Sequence, residues 1–482
     1  MLVTWAQNLV YGASHTSSTQ GGNLVKRLRT SVIIAALTLG LIAAGCGRSG
    51  SDEGSGNSTN EGASVNKKCT GATLEATEVG VSADTITITV MADVGSPLAP
   101  GLFQGNVDAV NAFAKFVNAN GGVGCRQLKV EVADSKLNAE ESKNGMIKAC
   151  QTSLAMVGGN ALFNPDVSVL GNCADKAGKA TGLPDFAALA NDVNEQCAPQ
   201  AWILQAVAEP CNGTNTGARD LKAMVGVTKF YKTVEPNLTG IFMVPGDLPT
   251  TVQSATYQIA AQAKAGVNFT DAYKVSGRAP QADFNTFVQA VKSANGTYVY
   301  NGSNDVAMTK MRKEAAAQGL SSVKVWACSL ACYTEAFKNE GASVTGTYVW
   351  LQFIPFEEAS SNKAAQQYVD AVGGKPDSFG AQAWQAAMAF AQAVDEIVAA
   401  DGPNAITRAA VLEKIKTLKF DAGGWIGERT GPKVFSPCFV VMQANNGKFE
   451  RAYPTKVGTL DCEASNIETV NIDPVQEATK VK

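Results

Sequence analysis

Cys46 has the clearest chemistry in the chain. It follows Leu41-Ile42-Ala43-Ala44-Gly45, the close of an apolar run from Val32 to Ala44, and that run comes just after the basic stretch Lys26-Arg27-Leu28-Arg29. A charged start, a short apolar stretch and small residues before a cysteine are the layout of a secretory signal ending at a lipid-attachment thiol. Small residues let a peptidase close around the backbone, and the thiol is the nucleophile for transfer of an acylated glycerol. The expectation is a mature chain that begins at Cys46, lies outside the cytoplasm and is held to the cell membrane by acyl chains. The apolar run, about 13 residues, falls short of the roughly 20 that a spanning helix needs; an uncleaved anchor is the alternative. Residues 1–24 precede the signal and read as an upstream extension, with Val25 a sensible start from an alternative codon. Residues 1–45 are thus assigned to extension and signal, and 46–78 to a tether. Gly47 to Asn66 is rich in Gly, Ser and Asn and cannot bury a core. As a flexible coil it would span about 25 Å.

Other residue types exclude more than they offer. The chain has one histidine, His15, and it lies before the expected cleavage site. A mature chain without histidine has no Ser-His-Asp or Cys-His catalysis and no histidine metal ligands. Carboxylates or lysine alone would have to carry any reaction, and the hydrolase reading rests on them. Asp185, Asp247 and Asp283 are the acid–base candidates, and they read instead as helix caps and turn residues. No metal or cofactor is expected. Net charge is −3 and no basic stripe appears, so nucleic acid is not an expected partner. Beyond Cys46 there are ten cysteines, an even number, which in an exported protein suggests five disulfides. Spacing does not fix the connectivity. Pairing of neighbours would join Cys69–Cys125, Cys150–Cys173, Cys197–Cys211, Cys328–Cys332 and Cys438–Cys462; buried free thiols are the alternative.

Alternating strand and helix patterns would position these residues. Thr85 to Met91 alternates polar and apolar, a strand signal. The turn-rich Asp93-Val94-Gly95-Ser96-Pro97 follows, then Val107, Val110, Phe113, Ala114 and Val117 at helical spacing. Further strands are expected at 128–132, 154–157 and 183–188, with helices at 139–150 and from Asn164-Pro165 onward. The pattern restarts after about residue 205. It predicts helices at 215–227, 250–265, 283–294, 305–319 and 333–340, and strands at 240–244, 272–276, 297–300, 323–327 and 347–353. Two late helices, 380–400 and 406–418, precede a last strand at 439–442 and the Asn445-Asn446-Gly447 turn. Such alternation implies an α/β chain with parallel sheets. Two sets of similar size imply two lobes.

The segments TITITVMADVGSPLAPGLFQGNVDAVNAFAKFVNANGGVGCRQLKVEVADS, LAMVGG, QADFNTFVQAVKSANGTYVYNGSND and SFGAQAWQAAMAFAQAVDEI carry a resemblance over about residues 79–454. The chain resembles the branched-chain amino-acid (Leu/Ile/Val) type of substrate-binding protein that serves ABC importers. That resemblance implies a two-lobed type I periplasmic-binding fold, each lobe a mostly parallel sheet with helices on both faces. Lobe 1 is expected from 79–204 and 354–434, and lobe 2 from 205–353 and 435–460, leaving 461–482 as a C-terminal tail. It also implies contact positions near Phe103, Asn160, Leu189, Asp247, Ser303, Ser329 and Phe379.

Physical reasoning reaches the same loops, because ligands of open parallel sheets lie beyond the carboxyl ends of strands. These loops add Ser96, Phe163 and Asn301. Amino-acid binders of the family hold a carboxylate with Ser/Thr hydroxyls after the third and fourth strands, where this chain has Asn160-Ala161 and Ala187-Ala188-Leu189. The expectation is therefore a less charged or bulkier solute, such as an amide, an aromatic or a small apolar acid. Trp350, Phe353 and Phe356 read as core or hinge packing. The expected role is a monomeric solute-binding lipoprotein that delivers to an ABC permease. A ligand sensor of the same fold and a structural surface lipoprotein are the alternatives.

Overall fold

A computed structural model describes residues 68–205, 208–211 and 216–482. Cys46, the signal and the tether up to residue 67 lie outside the described residues, whereas residues 68–78 are described and Cys69 there is tied to Cys125.

The first sheet is built from β1 (Thr85–Ala92), β2 (Gln127–Asp134), β3 (Ala155–Val157), β4 (Asn160–Ala161), β5 (Asp185–Ala187), β6 (Leu189–Ala190) and β7 (Ala201–Ile203), all in parallel pairs. β1 is central, and its threonines, which alternate as if one face met water, are covered as well. Thr89 satisfies its hydroxyl on Ser153 Oγ at 2.8 Å. Helices on both faces explain this, as they do in parallel sheets generally. Helix Gln104–Ala119 and the long helix Ser378–Asp401 share a face, where Trp384 meets Phe113 edge-on at 5.0 Å and Phe390 meets Phe186 at 5.5 Å. Small residues along the long helix let it approach the sheet closely. Gly158 takes φ +73°, and a Cβ there would come within 2.5 Å of Val110, so only glycine fits. Helix Ala139–Thr152 covers the other face, started by Asn138, whose side chain accepts from Glu140 N and Glu141 N.

After β7 the chain enters a second sheet, by way of β8 (Arg219–Met224), β9 (Thr239–Pro245), β10 (Asn268–Val275), β11 (Tyr298–Asn301), β12 (Val325–Cys328) and β13 (Thr347–Leu351). It then returns to the first lobe for helix Lys363–Ala371, the long helix, and the small pair β14 (Lys419–Phe420) and β15 (Arg429–Thr430). β16 (Val440–Asn445) and β17 (Lys448–Tyr453) go back to the second sheet, ordered β10-β9-β11-β12-β13-β16-β17, parallel up to β13 and antiparallel beyond it. The α/β architecture of two mostly parallel, helix-flanked sheets is as expected.

Three expectations need correction. Residues 219–224 form β8, not a helix: Arg219, Leu221 and Ala223 are buried while Asp220 and Lys222 are exposed, a period of two. The partner strand is β18 (Ile467–Ile472), far along the chain, so the local pattern lacked its context. Asn164 does not open a helix; its Nδ2 donates to Glu195 Oε2 at 3.1 Å, and a short helix starts only at Ser168. Asp185 is no cap: it lies in β5, 1 % exposed, with both carboxylate oxygens unpartnered among the described residues. The last residues carry β18 and helix Pro474–Ala478, and Lys482 N donates to Ala272 O beside β10.

The five disulfides follow the neighbour pairing. Buried Arg408 ties one of them down, donating to Cys173 Sγ at 2.9 Å, Cys150 O at 2.7 Å and Ser153 O at 2.6 Å. Arg451 grips Glu358 through Nε and Nη2, both at 2.5 Å and both side chains buried, and so joins β17 to the segment that crosses between sheets. Phe353 and Phe356 stack on that crossing, with Tyr333 5.0 Å from Phe356, whereas Trp350 faces elsewhere and donates to Tyr300 Oη at 3.0 Å.

Candidate functional site

The loops leaving the carboxyl ends of the two sheets meet each other. Thr250 Oγ1 donates to Leu162 O at 3.1 Å, Arg278 Nε to Leu98 O at 3.0 Å, and Ser378 Oγ to Leu330 O at 3.3 Å. Each bond joins one lobe to the other. The facing loops follow β1, β4 and β6 on one side and β9, β10, β11 and β12 on the other, the position where open parallel sheets bind ligands.

Asp93 builds the first-lobe wall. Its Oδ1 accepts from Ser135 Oγ and Leu137 N, both at 2.7 Å, and its Oδ2 from Leu162 N at 2.8 Å. Burial still holds its pKa above the ordinary carboxylate range, against those hydrogen bonds. Ser96 is buried and accepts from Leu98 N at 3.2 Å. Phe103 is buried and meets half-buried Phe379 edge-on at 4.9 Å. Phe163 is half-buried, and its carbonyl takes Ser142 Oγ at 3.2 Å. Leu189 is half-buried and in register with Asn160. Asn160 stands apart: it is 1 % exposed, yet neither its Oδ1 nor its Nδ2 has a partner among the described residues. An amide left so costs about 1–3 kcal/mol, which a ligand pairing with it would offset.

In the second lobe Asn301 is fully engaged, its Nδ2 donating to Asn304 O at 2.7 Å and to Cys328 Sγ at 3.3 Å, its Oδ1 accepting from Ser303 N at 3.0 Å. It is a strut between β11 and the Cys328–Cys332 turn. Ser303 is buried beside it. Ser329 is half-buried and accepts from Ala331 N at 3.4 Å. Asp247 is exposed and accepts from Gly277 N at 2.7 Å. Tyr333 closes the back of the cleft by donating to Glu357 and accepting from Phe356 N at 2.9 Å. Burial raises the pKa of Tyr333 and of Glu357 alike.

Sequence reasoning did not single out the bridging residues Thr250, Arg278 and Ser378. The signal for Arg278 was present: it follows a strand parallel to those whose loops were chosen, so its loop leaves the same edge. A cavity of about 430 Å³ lies away from these loops, between helix Gln104–Ala119 and helix Lys363–Ala371, with Asp108, Lys115, Tyr368 and Lys375 on its walls. Asp108, Lys115 and Lys375 there are exposed, and the buried Tyr368 hydroxyl is taken by the Asp377 backbone, so the bridged cleft is the better candidate. Among the described residues no cluster of His, Cys, Asp or Glu is placed to hold a metal ion, and no helix is long and apolar enough to cross a membrane.

Comparison with known proteins agrees with the fold. Residues 85–448 match the family described as periplasmic binding protein. Among solved structures, the leucine-binding protein of Thermotoga maritima is 14 % identical, with 76 % of this chain and 97 % of that one covered and a TM-score of 0.57. The branched-chain amino-acid binding protein of Streptococcus pneumoniae, solved with isoleucine, is 16 % identical over 80 % of this chain and 100 % of that one, TM-score 0.56. A solute-binding protein of R. palustris, solved with benzoate, is 14 % identical over 79 % of this chain and 98 % of that one, TM-score 0.58. At these identities the likeness speaks for the fold. No curated protein sequence matches the chain.

Proposed function

Because the chain belongs to the periplasmic binding protein family, whose members bind solutes and are not enzymes, we propose that it is the extracytoplasmic receptor of an ABC importer. It captures a small organic solute between its lobes and presents the closed form to a membrane permease. A lipid on Cys46 tethers it to the cell membrane. The observation that carries the reading is the meeting of the two carboxyl-edge loop sets, with three hydrogen bonds between lobes. A solute that touches both sets is bound better by the closed form than by the open one, which is the thermodynamic requirement for ligand-driven closure. The relatives solved with isoleucine and benzoate support a small organic solute.

A thermal-shift screen of the exported, oxidised protein tests this, with amino acids, amides, aromatic acids, sugars and polyamines as the panel. A ligand at 100 times its Kd adds about 2.7 kcal/mol, a few degrees at this chain length. One chemical class is expected to raise Tm. No shift across the panel would count against the receptor reading. The tether is tested separately: Cys46→Ala should release the protein from membranes into the soluble fraction.

A further inference from the structure

Building on that reading, we infer that the cleft takes an uncharged solute with a carboxamide edge on an apolar body, and that the Asn160 side chain reads the edge. Charge is the first ground. The carboxylates of the cleft loops are already engaged: Asp93 by Ser135, Leu137 and Leu162, Asp192 by Asn194 N, Asp247 by Gly277 N, and Asp305 by Val306 N and Thr334 Oγ1. A ligand ammonium would have to share them: Asp93 and Asp305 accept on both oxygens, Glu357 at the back is taken by Tyr333, and Asp247, which accepts on one oxygen, is exposed to water. The same loops carry one basic residue, Arg278, exposed at the rim with its Nε on Leu98 O. A carboxylate deeper in the cleft would lose its hydration without a cation to replace it.

Direction is the second ground. Ala161 packs with Met91 and Ala187 on one face of the first sheet. Side chains alternate along a strand, so Asn160 points to the other face, that of Phe103 and Ala188. It opens the two-residue β4 beside Ala92, the last residue of β1, and lies two residues before the Leu162 carbonyl that Thr250 bridges. Both polar atoms of its amide are buried and unpartnered among the described residues. An amide offers one donor group and one acceptor side by side. A second carboxamide completes both at once, N–H to O=C in each direction. A carboxylate has acceptors only and would set a negative charge against the Asn160 carbonyl oxygen; an ammonium has donors only. The edge-on Phe103–Phe379 pair with Leu162 and Leu330 supplies the apolar surround.

The test uses isosteric pairs on the exported protein by calorimetry: benzamide against benzoate, and hexanamide against hexanoate. In at least one pair the amide should bind ~10-fold or more tighter than its acid, since a site built to pair a polar group rejects an analogue that leaves it unpaired. Asn160→Leu should abolish that preference with the fold intact by circular dichroism, and Asn160→Gln should keep part of it. An acid that binds as tightly as its amide, an amide preference that survives in Asn160→Leu, or no binding of either amide would overturn the inference. Binding of an acid or of isoleucine would overturn it while leaving the receptor reading in place; failure of the whole wider panel is what would remove that reading.

Discussion

Asp185 lies inside the first sheet with no hydrogen bond to either oxygen among the described residues, and burial lifts its pKa to about 7 while the Lys433 charge acts against the rise. Glu195 beside it is raised well above the carboxylate range, by burial first and by the Asp185 charge second. Between the ordinary carboxylate range and about 7 the folded protein therefore holds protons that the unfolded chain has released. Stability must fall as pH rises through that window. Lys433 is shifted the other way, down to about 8 by burial, and above that pH the folded state loses a proton that the unfolded chain keeps, so stability recovers. Asp185→Asn should flatten the lower window and add about 1 kcal/mol or more at neutral pH, since each tenfold change in proton affinity corresponds to about 1.4 kcal/mol. Urea midpoints at about pH 5 and pH 7.5 measure it; an unchanged slope in the variant would assign the dependence to Glu195 alone. Sequence grouped this aspartate with Asp247 and Asp283 as a cap or turn residue, although it stands inside the expected strand 183–188. Its burial depends on β7 and on Lys433, which only the folded chain brings beside it.

The disulfides act through the elements they join, and their effects should divide by loop size. Cys69–Cys125 closes a separation of 56 residues and ties the start of the described chain to the turn before β2. Cys328–Cys332 closes a separation of 4 and shapes one cleft loop. In the chain-entropy model the first contributes about 4 kcal/mol and the second about 2 kcal/mol. Replacing the first pair by alanine should lower global stability more, while replacing the second should chiefly loosen residues 329–333, where Asn301 holds Cys328 Sγ. Urea unfolding with hydrogen exchange on the loop separates the two; equal losses of global stability would contradict the division. Most elements were legible because their signals are local. β9, β11 and β12 are short apolar runs bounded by turns, and helix Phe284–Ser293 buries Phe284, Phe287, Val288 and Val291 at helical spacing. β8 was not legible, because two-residue alternation shows its purpose only once β18 lies beside it. In the cleft, the loops themselves could be read from strand direction. Which groups were already engaged, as Asn301 and Asp93 are, depends on partners that no spacing reveals.

At the scale of the whole molecule the lobes are held by two kinds of contact. One cluster of buried apolar side chains runs from Ile88 in the first sheet through Phe353 at the crossing to Val299 in the second. The Tyr333–Glu357 and Arg451–Glu358 bonds hold the crossing along with that cluster, and across the mouth of the cleft the contacts are the bonds of Thr250, Arg278 and Ser378. The apolar cluster stays buried about a hinge, whereas the cleft bonds must break for the lobes to part. A hydrogen bond contributes about 0.5–1.5 kcal/mol net, so Thr250→Val with Arg278→Ala should move the balance toward the open form by about 1–3 kcal/mol, roughly 5- to 150-fold. Small-angle scattering of the solute-free protein should then show a larger radius of gyration, with the unfolding midpoint little changed because the cluster is intact. Apparent solute affinity should weaken by up to the same factor, reached where the open form predominates, since a ligand of the closed form is penalised by the fraction of protein that is closed. A scattering curve identical to the unsubstituted protein would place the closing force in the apolar cluster rather than in the bridges. Affinity that fell without any change in shape would instead make Thr250 or Arg278 a direct contact of the solute.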